Sequence, residues 1–331
     1  MDTVELPVVV GVDGSDAASD ALDWAAELAG RRGLPLRVVH ASLWERYEGY
    51  IPGTSADRPA ERLHSEAVLA TAAERAGRRV PALKVMTDLA ADDAVTALLR
   101  AGQSAEALVV GSRGRGEFAS LLLGSVGLGI AARALCPVVV VRGRPENVRG
   151  GMNRVAVGIA ERERPGDQEP APPSAAVAFA LREARLRGGE LEAVHAWRCA
   201  GPEDHGAREG HGRREERRGR ETPGGREGRE GREEHRAHEG QGAREAHTRR
   251  AAELLDETLG GASAAGLPPV PVAHRPVEGS ARKALLDASA HADLLVVGAR
   301  RRQGHFGMQL GLVNHAVLHH ARCPVAVVPV S

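Results

Sequence analysis

Residues 107–141 read ALVVGSRGRGEFASLLLGSVGLGIAARALCPVVVV, and this stretch decides the fold. Its first four residues form an apolar run typical of a buried strand, and a glycine-rich loop follows. From Gly124 onward the pattern becomes helical, and a valine-rich run after Pro137 predicts another strand. The order strand, loop, helix and strand predicts a parallel α/β sheet whose loop opens onto a helix N-terminus.

The same stretch occurs a second time near the end of the chain. Residues 293–328 read DLLVVGARRRQGHFGMQLGLVNHAVLHHARCPVAVV, and they align with the first copy without a gap from Gly298, opposite Gly111, to Pro324. A duplication of this kind predicts two structural repeats of similar topology. The length of 331 residues agrees with two domains that each bury a core.

We predict a first domain over residues 1–145 and a second over residues 151–331. The segment RGRPENVRGG, residues 142–151, has the glycines, proline and charges of a linker, which places the boundary near Gly150. Cys136 and Cys323 each precede a proline and a valine-rich strand, so we interpret them as equivalent core positions of the two repeats.

Strand and helix patterns alternate in both halves, as expected for an open α/β sheet. In the first half the predicted strands are Pro7 to Val12, Leu36 to Ala41, Val80 to Thr87, Ala107 to Gly111 and Val138 to Arg142, with helices over Ala17 to Arg32, Arg58 to Arg78, Ala91 to Gln103 and onward from Ser125. In the second half the predicted elements are Arg154 to Ile159, Ala175 to Arg187, Glu190 to Trp197, Ala246 to Leu259, Pro271 to Arg275, Ala281 to Ala290 and Leu294 to Gly298.

The glycine-rich loop is a candidate phosphate site. Gly111, Gly114, Gly124 and Ser125 have the spacing G-x2-G-x9-G-[ST]. Backbone amides can surround an anion where no Cβ intervenes, and first-turn helix amides and the helix dipole add to the attraction. A Walker A loop would require Gly-Lys-[Ser/Thr], and a dinucleotide fingerprint would read GxGxxG after the first strand, so the loop matches neither motif.

A carboxylate follows the first strand. Asp13 comes directly after the apolar run of residues 8–12, at the carboxyl end of the strand, where open parallel sheets bind ligands. Asp13 is therefore a candidate nucleoside contact. The structural alternative is that Asp13 and Ser15 only cap the helix that begins near Ala17.

Together, VxxDxS at Val10, Asp13 and Ser15 and the glycine spacing of the loop resemble the universal stress protein family. The resemblance implies an α/β fold like that of the adenine nucleotide alpha hydrolases. It implies two tandem open five-stranded parallel sheets with helices on both faces, packed as a pseudo-twofold pair through Val138 to Val141 and Val325 to Val328. It also implies that the ligand of the first repeat is ATP, with Mg²⁺ as a candidate companion, and that the backbone near His40 and Ala41 contacts adenine.

The candidate site of the first repeat includes two arginines, whose planar guanidinium groups suit phosphate oxygens. Its residues are Asp13, Ala41, Gly111, Arg113, Gly114, Arg115, Gly124, Ser125 and Val126.

The second repeat departs from this motif. Arg301 stands opposite Gly114, Leu312 opposite Ser125, and Ala160 opposite Asp13. We therefore predict that its nucleotide site is lost. The alternative is that three consecutive arginines, residues 300–302, replace the amide cradle with cationic contacts.

Residues 200–245 consist almost entirely of Gly, Arg, Glu and His, and they lie between the second strand and second helix of the second repeat. Such a composition cannot build a core, so we predict a disordered insert. Neither its irregularly spaced histidines nor His315, His319 and His320 predict a metal site, because the last three include a single i,i+4 pair.

These observations limit the function. The formal net charge is zero, which argues against nucleic acid or a membrane surface as the main partner. No nucleophile elbow, adenylation motif or committed set of phosphoryl-transfer residues is present, so no catalytic residue is predicted. The beginning of the chain has no leader pattern and no stretch long enough to span a bilayer, from which we expect a cytoplasmic protein.

The resulting hypothesis is an ATP-binding, non-catalytic regulator of the stress response. It would act on an unidentified protein partner, as an intrachain pseudo-dimer with a homodimer as a further candidate. Two alternatives remain open at this stage: an interaction scaffold that needs no nucleotide, and a slow Mg²⁺-dependent ATPase switch.

Overall fold

The structure is a computed structural model, and it describes residues 5–43, 58–114, 123–160, 174–198, 242, 245–256, 270–300 and 310–330. The strands are β1 (Val8–Gly11), β2 (Leu36–Ala41), β3 (Val85–Ala90), β4 (Ala107–Gly111), β5 (Val138–Val141), β6 (Arg154–Ile159), β7 (Glu190–Trp197), β8 (Val272–Glu278), β9 (Leu294–Arg300) and β10 (Val325–Val330). The helices are α1 (Asp16–Arg32), α2 (Arg58–Arg79), α3 (Ala94–Gly102), α4 (Ser125–Arg133), α5 (Pro145–Arg149), α6 (Ala175–Leu186), α7 (Ala281–Ser289) and α8 (Leu312–His320), and residues 245–256 are also helical.

All ten strands form one continuous sheet with the order β3-β2-β1-β4-β5-β10-β9-β6-β7-β8. Each half of this order is a parallel five-stranded unit, and the two halves meet where β5 pairs antiparallel with β10. The predicted pairing of the last strands of the repeats is confirmed. The edge that each five-stranded unit would expose is thereby covered by the other.

The register of this joint defines a pseudo-twofold axis. Val139 of β5 lies opposite Ala326 of β10, and the alignment of the repeats makes these two residues equivalent. A pair of equivalent residues that oppose each other in an antiparallel ladder must lie on the symmetry axis that relates the two strands.

Alternate residues of the strands supply two separate cores. Val8 and Val10 pack with α1, α2, α6 and the helix over residues 245–256 on one face of the sheet. Val9 packs on the other face with α3, α4, α7 and α8. Both faces are covered, which explains why the strands appear in the sequence as continuous valine and leucine runs rather than alternating patterns.

The third strand differs from its predicted position. The sequence predicted a strand over Val80 to Thr87, whereas β3 spans Val85–Ala90. The amide of Val80 donates a 2.9 Å hydrogen bond to the carbonyl of Ala76, so it continues α2, and the amide of Leu83 bonds to the Val80 carbonyl at 3.0 Å in a turn. Val80 and Leu83 are apolar because they pack on the core under α2. In the sequence, these apolar residues resemble the pattern of a strand.

The other boundaries agree with the sequence to within a few residues, and both predicted core cysteines are buried. Burial raises the pKa of the Cys136 thiol to about 11 and that of the Cys323 thiol further. Nearly all of the predicted disordered insert lies outside the described residues, as do the side chains of residues 300–302. Within the described ranges, no helix combines the length and apolar character needed to cross a lipid bilayer.

Below the β5–β10 joint, α1 and α6 exchange cation–π contacts across the pseudo-twofold axis. The Arg32 guanidinium lies 4.9 Å from the ring centroid of Phe179, and the Arg187 guanidinium lies 5.5 Å from that of Trp24. Arg32 is equivalent to Arg187, and Trp24 to Phe179, as the aligned strands that follow the two helices show. Each repeat therefore supplies a cation for the aromatic ring of the other.

One carboxylate breaks this symmetry. Glu183 of α6 has a fully buried side chain and stands where the first repeat has Leu28. Its Oε1 atom accepts hydrogen bonds from Nε and Nη2 of Arg32 at 3.1 and 2.7 Å, while its other oxygen lies 3.5 Å from Nε of Arg187. Nη1 of Arg32 also donates to Glu106 at 2.6 Å. Glu183 compensates two buried cations that face each other across the interface between the repeats.

We expect Glu183→Ala to lower the free energy of unfolding by about 3 to 5 kcal/mol, because removing one partner of a buried pair leaves the other charge uncompensated. The measurement is urea denaturation followed by circular dichroism. Glu74→Ala is the matched control, since Glu74 forms only an exposed pair with Arg78 at 3.9 Å, and it should change stability by about 0.5 kcal/mol or less. Equal effects of the two substitutions would contradict a role for Glu183 at the interface.

Candidate functional site

The candidate site lies at the carboxyl ends of β1 and β4, which are neighbours in the sheet. The helix after β1 packs on one face and the helix after β4 on the other, so the chain leaves the two strands in opposite directions. This arrangement opens a crevice at the point where ligands bind in open parallel sheets. The sequence-predicted residues Asp13, Gly111 and Gly114 belong to these two strand ends.

Asp13 forms a tight turn that leads into α1. Its Oδ1 atom accepts a 3.0 Å hydrogen bond from the amide of Ser15, and Gly14 between them has a φ of +80°. The Ser15 hydroxyl caps α1 by accepting from the amide of Ala18 at 3.2 Å. The capping role considered from the sequence therefore applies to Ser15, while Asp13 holds the turn that leads into α1.

Gly114 of the loop after β4 lies directly against Asp13. A Cβ atom built on Gly114 would be 2.6 Å from Oδ2 of Asp13, which is closer than any ordinary carbon–oxygen contact. The structure thus brings together two residues that are far apart in the sequence and that were predicted to share one site. A side chain at position 114 would displace the carboxylate or the loop.

Gly111 has a different reason to lack a side chain. A Cβ atom at this position would lie 2.5 Å from the carbonyl oxygen of Ala17 and 3.1 Å from the amide nitrogen of Ala18. These are backbone atoms of the first turn of α1, and they have little freedom to move. Gly111 therefore permits α1 to approach β4, which is packing rather than direct anion binding.

The start of α4 supplies the amides of the site. The Gly124 amide donates a 2.8 Å hydrogen bond to the carbonyl of Ser112, so it is already engaged, contrary to the expectation that it faces a phosphate. Ser125 and Val126 occupy the first two helical positions, where amides have no partner within the helix, and Gly124 provides no side-chain cap. These two amides and the helix dipole are the donors that α4 can offer an anion.

Of the two arginines predicted for the site, the structure describes Arg113. Arg113 is exposed beside Gly114, and its positive charge, together with burial, lowers the pKa of Arg142 to about 10, with burial the larger cause. Arg142 follows β5, and its Nη1 atom donates to the carbonyl of Leu318 in α8. Arg115 lies outside the described residues. Arg113 is thus electrostatically coupled to a buried cation that contacts the second repeat.

The sequence pointed to the backbone near His40 and Ala41, and the structure adds a role for the His40 side chain. Its Nδ1 atom lies 2.8 Å from the carbonyl of Val12, the residue before Asp13. The second repeat has the same contact, 3.0 Å from Nδ1 of His195 to the carbonyl of Ile159. The signal was present in the sequence, since both second strands contain Val-His-Ala, but its meaning required the strand register. Ala41 ends β2, the strand next to β1, and it lies opposite Ala90 of β3.

The second repeat keeps the scaffold of the crevice without its contacts. Ala160 follows β6 and offers no carboxylate, and Leu312 at the start of α8 is 91% exposed. A Cβ atom at Gly298 would meet nothing closer than 3.4 Å, because the counterpart of the tight approach at Gly111 is absent. Arg301 lies outside the described residues. Among the residues that the structure describes, no group of three or more His, Cys, Asp or Glu side chains could hold a metal ion.

The fold and the crevice define the class: a tandem-repeat parallel α/β protein with a candidate ligand site at the topological switch point of its first sheet half. The model of the universal stress protein family matches residues 6–142 and 165–329. The chain is 32% identical to universal stress protein Rv2005c of Mycobacterium tuberculosis and to Mb2028c of Mycobacterium bovis, over 97% of this chain and 96% of each relative. The chain belongs to the universal stress protein family.

Solved structures agree on the fold. A universal stress protein from Archaeoglobus fulgidus superimposes with a TM-score of 0.61 over 99% of both chains at 16% identity. A second structure, of a protein from Pseudomonas aeruginosa described as functionally unknown, gives a TM-score of 0.52 at 13% identity and covers 99% of this chain and 93% of its own. The α/β architecture with two repeats is therefore shared at full length.

The different surroundings of Gly111 and Gly298 predict different responses to the same substitution. Gly111→Ala should lower the free energy of unfolding by about 1 to 3 kcal/mol, because the added methyl group meets the backbone of α1. Gly298→Ala should change it by less than about 1 kcal/mol, because the methyl group has room. Thermal and urea denaturation of both variants tests this, and a larger loss for Gly298→Ala would disprove the assigned packing role.

Proposed function

We propose that the first domain, residues 1–145, binds ATP at the crevice between β1 and β4. The observation that carries the proposal is the approach of Gly114 to the Asp13 carboxylate, which joins the two halves of the motif in one place. Because Gly114 has no Cβ atom, its backbone lies beside the Asp13 carboxylate, and backbone rather than a side chain can face a ligand there. The membership of the chain in the universal stress protein family agrees with this reading.

The residues of the crevice suit the parts of a nucleotide. The Asp13 carboxylate would accept hydrogen bonds from ribose hydroxyl groups, as a carboxylate at this end of a strand does. The amides of Ser125 and Val126 would donate to phosphate oxygens, and Arg113 would add a planar cationic donor from the opposite side. The backbone at Ala41 would line the adenine end. Arg115 and Gly124 complete the predicted set, the latter by holding the loop through Ser112.

For the second domain, residues 151–331, we propose a degenerate nucleotide site. Ala160 has no group that can bind ribose, and the exposed side chain of Leu312 replaces the hydroxyl of Ser125. One ATP per chain is therefore expected. The domain boundary near Gly150 follows α5, where Gly150 has a φ of +72°, a conformation that favours glycine at the end of a helix.

The proposed role is regulatory and non-catalytic, in the cytoplasm, with a protein as the downstream partner. A ligand can shift a conformational equilibrium only if it binds one state more tightly than the other. Arg113 gives the site such a connection: a phosphate beside Arg113 would neutralise its repulsion of Arg142, which holds the Leu318 carbonyl of α8. Binding of ATP to the first repeat would thus change the contact of Arg142 with α8 of the second repeat. Mg²⁺ would accompany the phosphates as their counter-ion, without a dedicated set of protein ligands.

The test is isothermal titration of the full chain with ATP, with and without Mg²⁺, combined with analysis of nucleotide that copurifies. We expect one ATP per chain and a loss of affinity of about tenfold or more in Gly114→Ala, because the added methyl group displaces the Asp13 carboxylate. Gly311→Ala is the matched control: it is the second-repeat equivalent of Gly124, its Cβ atom would meet nothing within 4 Å, and binding should be unchanged.

Three outcomes would contradict the proposal. No binding of ATP would favour a scaffold that acts without nucleotide. Two ATP molecules per chain would show that the second repeat retains its site. Turnover of ATP that requires Mg²⁺ and disappears in Gly114→Ala would replace the non-catalytic role with that of a slow switch.

A further inference from the structure

The second repeat contains a cavity of about 760 Å³ that differs in chemistry from the crevice of the first. It lies between the end of β7, the N-terminus of α7 and one side of α8. Its lining includes Arg198 after β7, Arg282 in the first turn of α7, and the three histidines of α8, His315, His319 and His320. No aspartate or glutamate belongs to the described lining.

Four of these five groups replace apolar residues of the first repeat. Alignment of the strands, of the matching His40 and His195 contacts and of the helix caps at Asp93 and Ser280 relates the two repeats position by position. Leu43 then corresponds to Arg198, Val95 to Arg282, Leu128 to His315, and Ala132 to His319, while Arg133 corresponds to His320. The second repeat has gained four basic or titratable side chains around one cavity. A cluster of this kind requires substitutions at several positions around the same cavity, not at a single surface position.

The two arginines are available to a ligand. In the described part of the chain neither Arg198 nor Arg282 forms an ion pair, and both are exposed at the cavity. Nε2 of His319 is buried there and has no hydrogen-bond partner in the same part of the chain. The ring of His319 stacks on His315 with 4.4 Å between centroids, which holds both rings against the cavity. An unpaired buried nitrogen is costly unless a ligand satisfies it.

The helix that contributes Arg282 adds a favourable dipole. The nine residues of α7 begin at the cavity, Ser280 caps them by accepting from the amide of Lys283, and both Ser280 and Ala281 belong to the lining. The N-terminus of a helix attracts negative charge. The dipole and the two guanidinium groups therefore act in the same direction, and an imidazole adds to them when it is protonated.

We propose that this cavity binds a chain of phosphate groups without recognising a nucleoside. The apolar residues that the first repeat has at these positions are replaced by phosphate-binding types, and Ala160 removes the carboxylate that a ribose would need. The chemistry is that of an inorganic polyphosphate. The site is separate from the proposed ATP site of the first repeat and does not depend on it.

Binding to this cavity strengthens in acid. Burial, then His315, His320 and Arg142, lower the pKa of His319, so its imidazole is neutral near pH 7. The charged groups that face it are His315 and His320 on its own helix, Arg142 from the end of β5, and the two arginines across the cavity. A polyanion stabilises the protonated ring and is bound together with a proton. Affinity therefore rises as the pH falls through the pKa of the histidine and declines above it.

The experiment is titration of the full chain with tripolyphosphate at about pH 6 and about pH 8, on either side of the ordinary histidine pKa. We expect tighter binding at the lower pH, and a loss of about tenfold or more in the double variant Arg198→Ser/Arg282→Ser. The control Arg62→Ser/Arg78→Ser removes the same charge from exposed positions of α2 and should bind as the unmodified protein does. His319→Gln should flatten the pH dependence.

Several results would overturn the proposal. These are the absence of binding at the lower pH, equal weakening in the two double variants, or loss of tripolyphosphate binding in Gly114→Ala but not in Arg198→Ser/Arg282→Ser. Displacement of tripolyphosphate by adenosine would also overturn it, because a nucleoside would then be recognised. The ATP stoichiometry of the first repeat is also measured in Arg198→Ser/Arg282→Ser, in which the cavity has lost both arginines, so the two proposals fail independently.

Discussion

The antiparallel pairing of β5 with β10 is the interaction on which the other features of the molecule depend. It joins two five-stranded parallel units into one sheet and removes an exposed edge from each. Because the pair Val139 and Ala326 lies on the pseudo-twofold axis, the joint also brings α1 and α6 together beneath it. The reciprocal cation–π contacts and the buried Glu183 follow from that placement. A carboxylate between two buried arginines has no use in a single repeat, since its partners come from both.

The same joint connects the two ligand sites that we propose. Arg142 follows β5, its pKa is lowered by burial and by the charge of Arg113 of the first site, and it contacts α8, the helix that carries the histidines of the second. One buried guanidinium therefore lies between a nucleotide crevice and a cationic cavity. A duplication first makes two equal sites, and substitution at a few positions then makes them different. The crevice of the first repeat keeps backbone amides and a carboxylate, whereas the cavity of the second has gained side-chain cations.

Much of the fold and part of the site follow from local pattern. The valine-rich runs and the gap-free alignment of the repeats predict the α/β class and the duplication, and the resemblance to the universal stress protein family implied the pairing of the last strands. The third strand was misplaced because Val80 and Leu83 are apolar for reasons of tertiary packing, and periodicity over so short a run cannot distinguish a strand from a helix end. Asp13 and Gly114 were identified as one site from motif spacing, and their contact agrees with that reading.

The sequence by itself determined that this chain is a duplicated parallel α/β protein, because hydrophobic period, glycine spacing and repetition are properties of the linear order. It also determined where the second copy of the motif departs from the first. Only the tertiary structure decided what each residue does. Gly111 and Gly114 share a motif, yet Gly111 leaves room for the backbone of α1, whereas Gly114 leaves room for the carboxylate of Asp13. Glu183, Arg198 and His319 had no motif, because Arg32 reaches Glu183 only across the pseudo-twofold axis, and Arg198 lies near His319 only once the second repeat has folded.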